Sequence, residues 1–236
     1  METVKALFFD VGGTVFDWRN TVRDAVQNLG RQNQCTVDEA SFADDWRKEM
    51  FKVLTQVRQG DLPWMNADGM LVQALEPLAC KYSLLSLIDD PMALVKATWH
   101  RLRAFEGAAE AVTRLRSRYT VAVLTILSWE SVVGSSKAAG VLWDGILSCE
   151  FLGYYKPSRQ AYLRAVRLLG LRPEEGMMVA AHEGDLAAAQ GAGLHTAYVG
   201  VAEKDFSAVA FGNKIQHCYD VEANDFAGLC NMLGVG

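Results

Sequence analysis

The sequence predicts an α/β fold, with a parallel sheet and an all-helical block inserted after its first strand. Three observations predict it. Short apolar runs rich in β-formers recur at Val4–Phe9, Thr120–Thr125, Gly145–Cys149, Met177–Ala181 and Thr196–Val199. Helical periodicity fills the gaps between the later runs, the alternation that builds a parallel sheet with helices on both faces. Between residues 18 and 101 only helical patterns occur. With 236 residues, 50% hydrophobic and 22% charged, the chain has material for one domain with a large insertion or for two modest domains.

Each element has its own local reason. Val4–Phe9 is apolar and stops at Asp10, which opens the turn Asp10-Val11-Gly12-Gly13-Thr14, so it reads as a buried strand delivering an acid to a crevice. From Trp18 to Gly30, Val22, Ala25, Val26 and Leu29 lie on one helical face. Thr36-Val37-Asp38-Glu39 has the spacing of a capping box, predicting a helix that starts at Thr36 and runs to about Arg58. Residues 60–69 are rich in turn formers, and further helices are predicted over 70–82 and 90–101. After the block, helices are predicted over 107–117, 129–139, 158–169 and 185–192, with a final strand at Cys218–Val221 and a helix over 225–233. The expected division is a Rossmann-like core of residues 1–16 and 102–236, and a helical cap of residues 17–101. Ligands of such sheets sit at the carboxyl ends of the strands. Asp10, Thr125, the segment after Cys149 and the segment after Ala181 therefore surround one crevice.

Several function classes are set aside. The net charge is −5 and no Lys/Arg-rich run occurs, which argues against nucleic acid as a partner. The start is too weakly apolar for a signal peptide, and no apolar stretch approaches the roughly 18 residues of a membrane span. Cys35, Cys80, Cys149, Cys218 and Cys230 are scattered and never in CxxC spacing, so free thiols in a cytoplasmic enzyme are expected rather than zinc ligands.

The chemistry centres on Asp10. A lone Asp before glycines is ordinarily a turn or helix cap. Here Thr125 ends a second strand, Lys156 and Asp185 lie just past a third and a fourth, and an aspartate in that company suits nucleophilic catalysis.

At this point the chain resembles the haloacid dehalogenase superfamily, over nearly its whole length. Within it the chain looks most like the (S)-2-haloacid dehalogenases. Phe9-Asp10-Val11-Gly12-Gly13-Thr14-Val15-Phe16-Asp17-Trp18-Arg19 is similar to that group's F-D-x-x-G-T-x-x-D-W-R. Trp46-Arg47, the loop from Arg58 to Trp64, Tyr155-Lys156-Pro157 with Tyr162, and Met178 to Leu186 resemble its other motifs in order. The resemblance implies that Asp10 attacks the halogen-bearing carbon of a small 2-haloacid and expels halide, and that water then hydrolyses the aspartyl ester. It implies that Arg47 stabilises halide, Lys156 keeps Asp10 ionised, Asp185 orients Lys156 or water, and His182 activates water. Val11, Gly12, Thr14, Thr125 and Ile126 would hold the substrate, with Trp46 and Trp64 as pocket walls. Asp17 suits a hinge or helix start, Tyr162 a structural or supporting role, and His100, His195 and His217 have no partners suggested by spacing. The family usually assembles as a homodimer.

Two positions depart from the superfamily's phosphatases. Gly12 stands where they carry a general acid, and Ala181 where they carry an acidic Mg²⁺ ligand. No metal and no cofactor are therefore expected. A third departure is from the dehalogenases: their S-N-G-N is Thr125-Ile126-Leu127-Ser128, which keeps the hydroxyl and loses the amide. Two other readings stay open: a phosphate or phosphonate hydrolase of the superfamily, and a weakly active or non-catalytic binding paralogue.

Overall fold

The computed structural model describes residues 3–83, 87–201 and 218–236; His217 lies outside them. Six strands form one parallel sheet: β1 (Ala6–Phe9), β4 (Thr120–Thr125), β5 (Gly145–Ser148), β6 (Gly176–Ala180), β7 (His195–Val199) and β8 (Val221–Ala223). Their order is β5-β4-β1-β6-β7-β8. β1 pairs in parallel with both β4 and β6. All four of its residues are fully buried, as a strand covered on both faces requires. The chain moves outward from β1 through β4 to β5, then returns to the other side of β1 for β6. That reversal opens a crevice above the strand ends at β1.

Two very short strands, β2 (Phe16–Asp17) and β3 (Arg103–Ala104), pair antiparallel where the chain leaves and re-enters the sheet region. At two residues each they are too short to leave a periodic trace in the sequence. Between them lie α1 (Trp18–Gln32), α2 (Glu39–Gln59), α3 (Ala67–Lys81) and α4 (Pro91–Thr98). Their starts are set by side-chain caps. Asp17 accepts from the Asn20 N–H at 3.0 Å, Asp38 from Ser41, Asn66 from Gly69 and Asp90 from Ala93. The cap of α2 is therefore Asp38 and not Thr36, because Asp38 has the carboxylate that reaches the third N–H. Gly60, at φ 83°, ends α2 in the left-handed conformation that glycine adopts without strain.

The block is held by aromatic packing and one forked ion pair. Trp18 stacks on Trp99 at 5.7 Å, and Trp46 meets Trp99 edge-on at 5.8 Å. Arg19 contacts both oxygens of Asp44, at 2.6 and 3.1 Å, joining α1 to α2. Around the sheet run α5 (Ala108–Leu115), α6 (Trp129–Ala139), a single turn α7 (Cys149–Leu152), α8 (Arg159–Leu168), α9 (Glu183–Ala192) and α10 (Phe226–Met232). The last strand falls at 221–223 and not at Cys218–Val221. The helix expected over 90–101 stops at Thr98, because the chain must turn toward β3. Among the described residues no helix is long and apolar enough to cross a membrane.

Candidate active site

Asp10 follows β1 directly, and its N–H donates to Val179 O on β6 at 3.0 Å. The turn behind it is tightly wound. The N–H groups of Val15 and Phe16 return to Val11 O, at 3.0 and 2.8 Å. Gly13 has φ 93°, so the turn needs glycine there. Gly12 is closely covered: a Cβ on it would lie 3.3 Å from Leu127 Cδ1, a tight contact, and 3.6 Å from Arg47 Nη2, an ordinary one.

Four groups converge on the Asp10 carboxylate or its partner. Lys156 Nζ donates to Asp10 Oδ1 at 2.9 Å and to Asp185 Oδ2 at 2.6 Å. Thr14 Oγ1 donates to Asp10 Oδ2 at 2.9 Å and accepts the Ala181 N–H at 3.0 Å. His182 Nδ1 lies 3.1 Å from the same Oδ2. Tyr162 donates to Asp185 Oδ1 at 2.6 Å, which makes it a support for this cluster rather than a remote packing residue. Asp10, Lys156, Asp185 and His182 are all buried.

Burial alone would raise the Asp10 carboxyl. The Lys156 ammonium and the His182 hydrogen bond outweigh it and hold Asp10 well below the usual carboxylate range. Burial would lower Lys156, but the charges of Asp10 and Asp185 raise it above its ordinary value. Asp185 is raised, by burial first and against the pull of Lys156, with the Asp10 charge adding to it. Two carboxylates share one ammonium, and the low value falls on Asp10. Because Asp10 is an ionised acceptor, the nitrogen facing it carries the hydrogen, and His182 Nε2 is the basic nitrogen of the ring in its neutral form. Nearby Cys149 is fully buried, and burial pushes its thiol up to about 12, so it stays protonated.

The opposite wall comes from the helical block and from the loop after β4. Arg47 on α2 is buried, with Cζ 4.5 Å from the Phe51 ring centroid, 5.3 Å from Trp18 and 5.6 Å from Trp99. Its approach to Gly12 places it over the Asp10 turn. The aromatic surround was not anticipated, although Trp18 stands in the motif that opens α1. Thr125 Oγ1 accepts the Leu127 N–H at 3.1 Å, and Ser148 Oγ donates to Leu127 O at 2.7 Å. Ile126 and Leu127 are buried and present apolar surface.

The two tryptophans expected as pocket walls have partners of their own. Trp46 is fully buried in the helical block, and its Nε1 donates to Leu71 O at 2.9 Å. Trp64 is 48% exposed and stacks on Tyr155 at 4.6 Å. Val11 is buried, and its carbonyl serves the turn. Two histidines read as lacking partners have them: His100 Nε2 lies 2.9 Å from Asp68 Oδ2, and His195 Nδ1 lies 3.0 Å from Asp220 Oδ1. Sequence spacing hides both pairs because each joins distant segments. Among the described residues, the group with donors close enough to suggest a cation is Asp68, His100 and Glu130. Asp68 there already accepts from Ser128, Ser131 and His100, which leaves its oxygens poorly suited to a metal.

Comparison with protein families matches residues 4–193 to a hydrolase family, haloacid dehalogenase-like hydrolase. Comparison with curated proteins gives no match. Among solved structures, the defluorinating L-2-haloacid dehalogenase Rha0230 is 30% identical with a TM-score of 0.88, covering 98% of this chain and 95% of its own. The L-2-haloacid dehalogenase PA0810 is 31% identical with a TM-score of 0.85, covering 99% of this chain and 100% of its own. An L-2-haloacid dehalogenase from Xanthobacter autotrophicus, with chloropropionic acid covalently bound, shares the fold at 19% identity and a TM-score of 0.79, covering 98% of each chain.

Proposed function

The chain belongs to the haloacid dehalogenase-like hydrolase family, and we propose that it is a hydrolytic dehalogenase of short-chain 2-haloalkanoic acids. The observation that carries this reading is the buried Asp10–Lys156–Asp185 cluster with Arg47 close above the Gly12 turn. It is supported by two L-2-haloacid dehalogenases at 30% and 31% identity over nearly the whole chain. Residues 17–101 act as the cap over a core of residues 1–16 and 102–236. The five free thiols suit a reducing cytoplasm.

In the first step an Asp10 oxygen attacks C2 of the acid and forms an ester, while the carbon–halogen bond breaks and its electron pair leaves with halide. Asp10 is ready for this because Lys156 and His182 keep it ionised. Arg47 meets the halide's developing charge. The apolar Ile126–Leu127 wall faces the substrate's carbon chain, and Thr125 with the N–H groups of the Asp10 turn holds its carboxylate.

In the second step water attacks the ester carbonyl at Asp10 Cγ and gives a proton to His182 Nε2. The bond from Cγ to the substrate oxygen then breaks, and that oxygen takes the proton. The product is the 2-hydroxy acid. The second water proton goes to solvent, balancing halide, and Asp10 keeps one water oxygen. Lys156 supplies the positive charge between Asp10 and Asp185 throughout, and Ala181 offers no side-chain oxygen, so the reaction is proposed to need no metal.

The test is halide release from (S)-2-chloropropanoate and haloacetates, with and without a chelator, and with Asp10→Asn as control. Release by the wild type and not by the variant is expected, unchanged by chelation. Multiple turnovers in ¹⁸O water should place label in the Asp10 carboxyl. No halide from any haloacid, alongside Mg²⁺-dependent cleavage of phosphate esters, would sink the reading.

A further inference from the structure

Asp68 lies in the first turn of α3, just beyond the loop from Arg58 to Trp64, and it is a carboxylate only 3% exposed. A buried carboxylate needs donors. Ser128 Oγ donates to its Oδ1 at 2.8 Å, Ser131 Oγ to the same oxygen at 3.2 Å, and His100 Nε2 meets Oδ2 at 2.9 Å. Ser128 is the last residue of the loop Thr125-Ile126-Leu127-Ser128 and the N-cap of α6, where its Oγ also accepts the Ser131 N–H at 3.0 Å. His100 belongs to the connector that returns from the helical block. That connector presses on α6: a Cβ on Gly134 would lie 2.5 Å from His100 O, and Leu102 N–H donates to Ser135 Oγ at 3.0 Å.

We propose that Asp68 is a positioning residue for the substrate loop. Its carboxylate fastens the end of loop 125–128 to the helical block, so that Leu127 stays seated against Gly12. This rests on the reading that loop 125–128 borders the bound acid. Burial would raise the Asp68 carboxyl, but the hydrogen bonds from His100 and Ser128 lower it, so the ionised acceptor is the stable form. The core side of the loop is pinned by Thr125 and Ser148, and Asp68 supplies the anchor from the helical side.

The experiment compares Asp68→Ala, Asp68→Asn and Ser131→Ala with the full-length wild type. It reads amide hydrogen exchange along the chain and, in parallel, KM and kcat for (S)-2-chloropropanoate. Asp68→Ala should speed exchange of amides 126–131 about tenfold and raise KM about tenfold with a much smaller change in kcat, as expected for loss of roughly one net hydrogen bond to the loop. Asp68→Asn should restore both, because the amide oxygen still accepts from the serines. Ser131→Ala should show the same pattern at reduced size, and decides the matter if Asp68→Ala fails to fold. Faster exchange spread evenly over the chain, or a lowered melting temperature with wild-type KM and wild-type exchange at 126–131, would overturn the proposal. If the wild type releases no halide, the dehalogenase reading fails while the exchange comparison still decides the role of Asp68.

Discussion

The floor of the crevice and the wall facing it hold their charges differently. On the floor, Asp10, Lys156 and Asp185 are each met by an opposite charge within 2.9 Å, and Thr14, His182 and Tyr162 supply further hydrogen bonds. On the wall, the Arg47 guanidinium lies over the rings of Phe51, Trp18 and Trp99, with Leu127 nearby across Gly12. A fully paired charge is fixed in position and ionisation. A cation resting among π faces keeps its charge in a largely aromatic surround. The floor thus keeps a carboxylate ionised by paired charges, whereas the wall surrounds its cation with aromatic faces.

The largest effect tests Asp10 as the proposed nucleophile. Asp10→Asn should lower halide release by about 10³-fold or more, since removing a covalent nucleophile leaves only binding and electrostatics. Retention of most activity in a steady-state halide assay would remove Asp10 from the chemistry.

Next is the wall. Arg47→Lys keeps the charge and loses the planar stack, and should lower kcat by about 10²-fold for loss of one transition-state contact. Its cost in stability should be about 1 kcal/mol, the scale of a cation–π contact, read by urea denaturation. If stability falls far more than activity, the arginine is a packing residue.

Lys156→Met breaks the floor's pairing and should destabilise the fold by about 3–5 kcal/mol at pH 7, because two buried carboxylates lose their cation. The pH dependence follows from the shifts. The lowered Asp10 stabilises the folded state above the ordinary carboxylate value of 3.8, and that contribution fades as pH falls below it; the raised Asp185 works in the opposite sense. The raised Lys156 stabilises below its ordinary value of 10.5, and that contribution is lost as pH climbs beyond it. The wild type should therefore lose stability above about pH 10.5 through this group, while Lys156→Met gains stability as pH is lowered and its carboxylates take protons. Parallel pH–stability curves for the two proteins would contradict the assigned charges.

The smallest effect is expected at the edge of the floor. Tyr162→Phe deletes one hydrogen bond to Asp185 and should cost about 1–2 kcal/mol of stability and a few-fold in kcat. No change in either would make Tyr162 a space filler.

The likeness between expectation and structure is uneven in a way that follows from distance along the chain. β4 falls at Thr120–Thr125 and α6 at 129–139, as read, because an apolar run or a helical face is written in neighbouring residues. That Asp10, Lys156 and Asp185 come together was legible because each lies beyond a strand end, and parallel sheets bring strand ends together. The partners of Trp46 and Trp64 were not legible in the sequence. Which way a tryptophan faces depends on the helices around it, and here Leu71, Trp99 and Tyr155 take them.

By itself, the sequence determined the longer elements and the acid that opens the first turn, because each is encoded within a few adjacent residues, and the alternation of strands and helices determined the parallel α/β architecture. The tertiary structure alone decided that Lys156 Nζ reaches Asp10 and Asp185 at once, that Arg47 rests among three aromatic rings, and that Asp68 meets Ser128 across 60 residues of chain. Those contacts join distant segments, and only the simultaneous packing of sheet and helices fixes the distances between them.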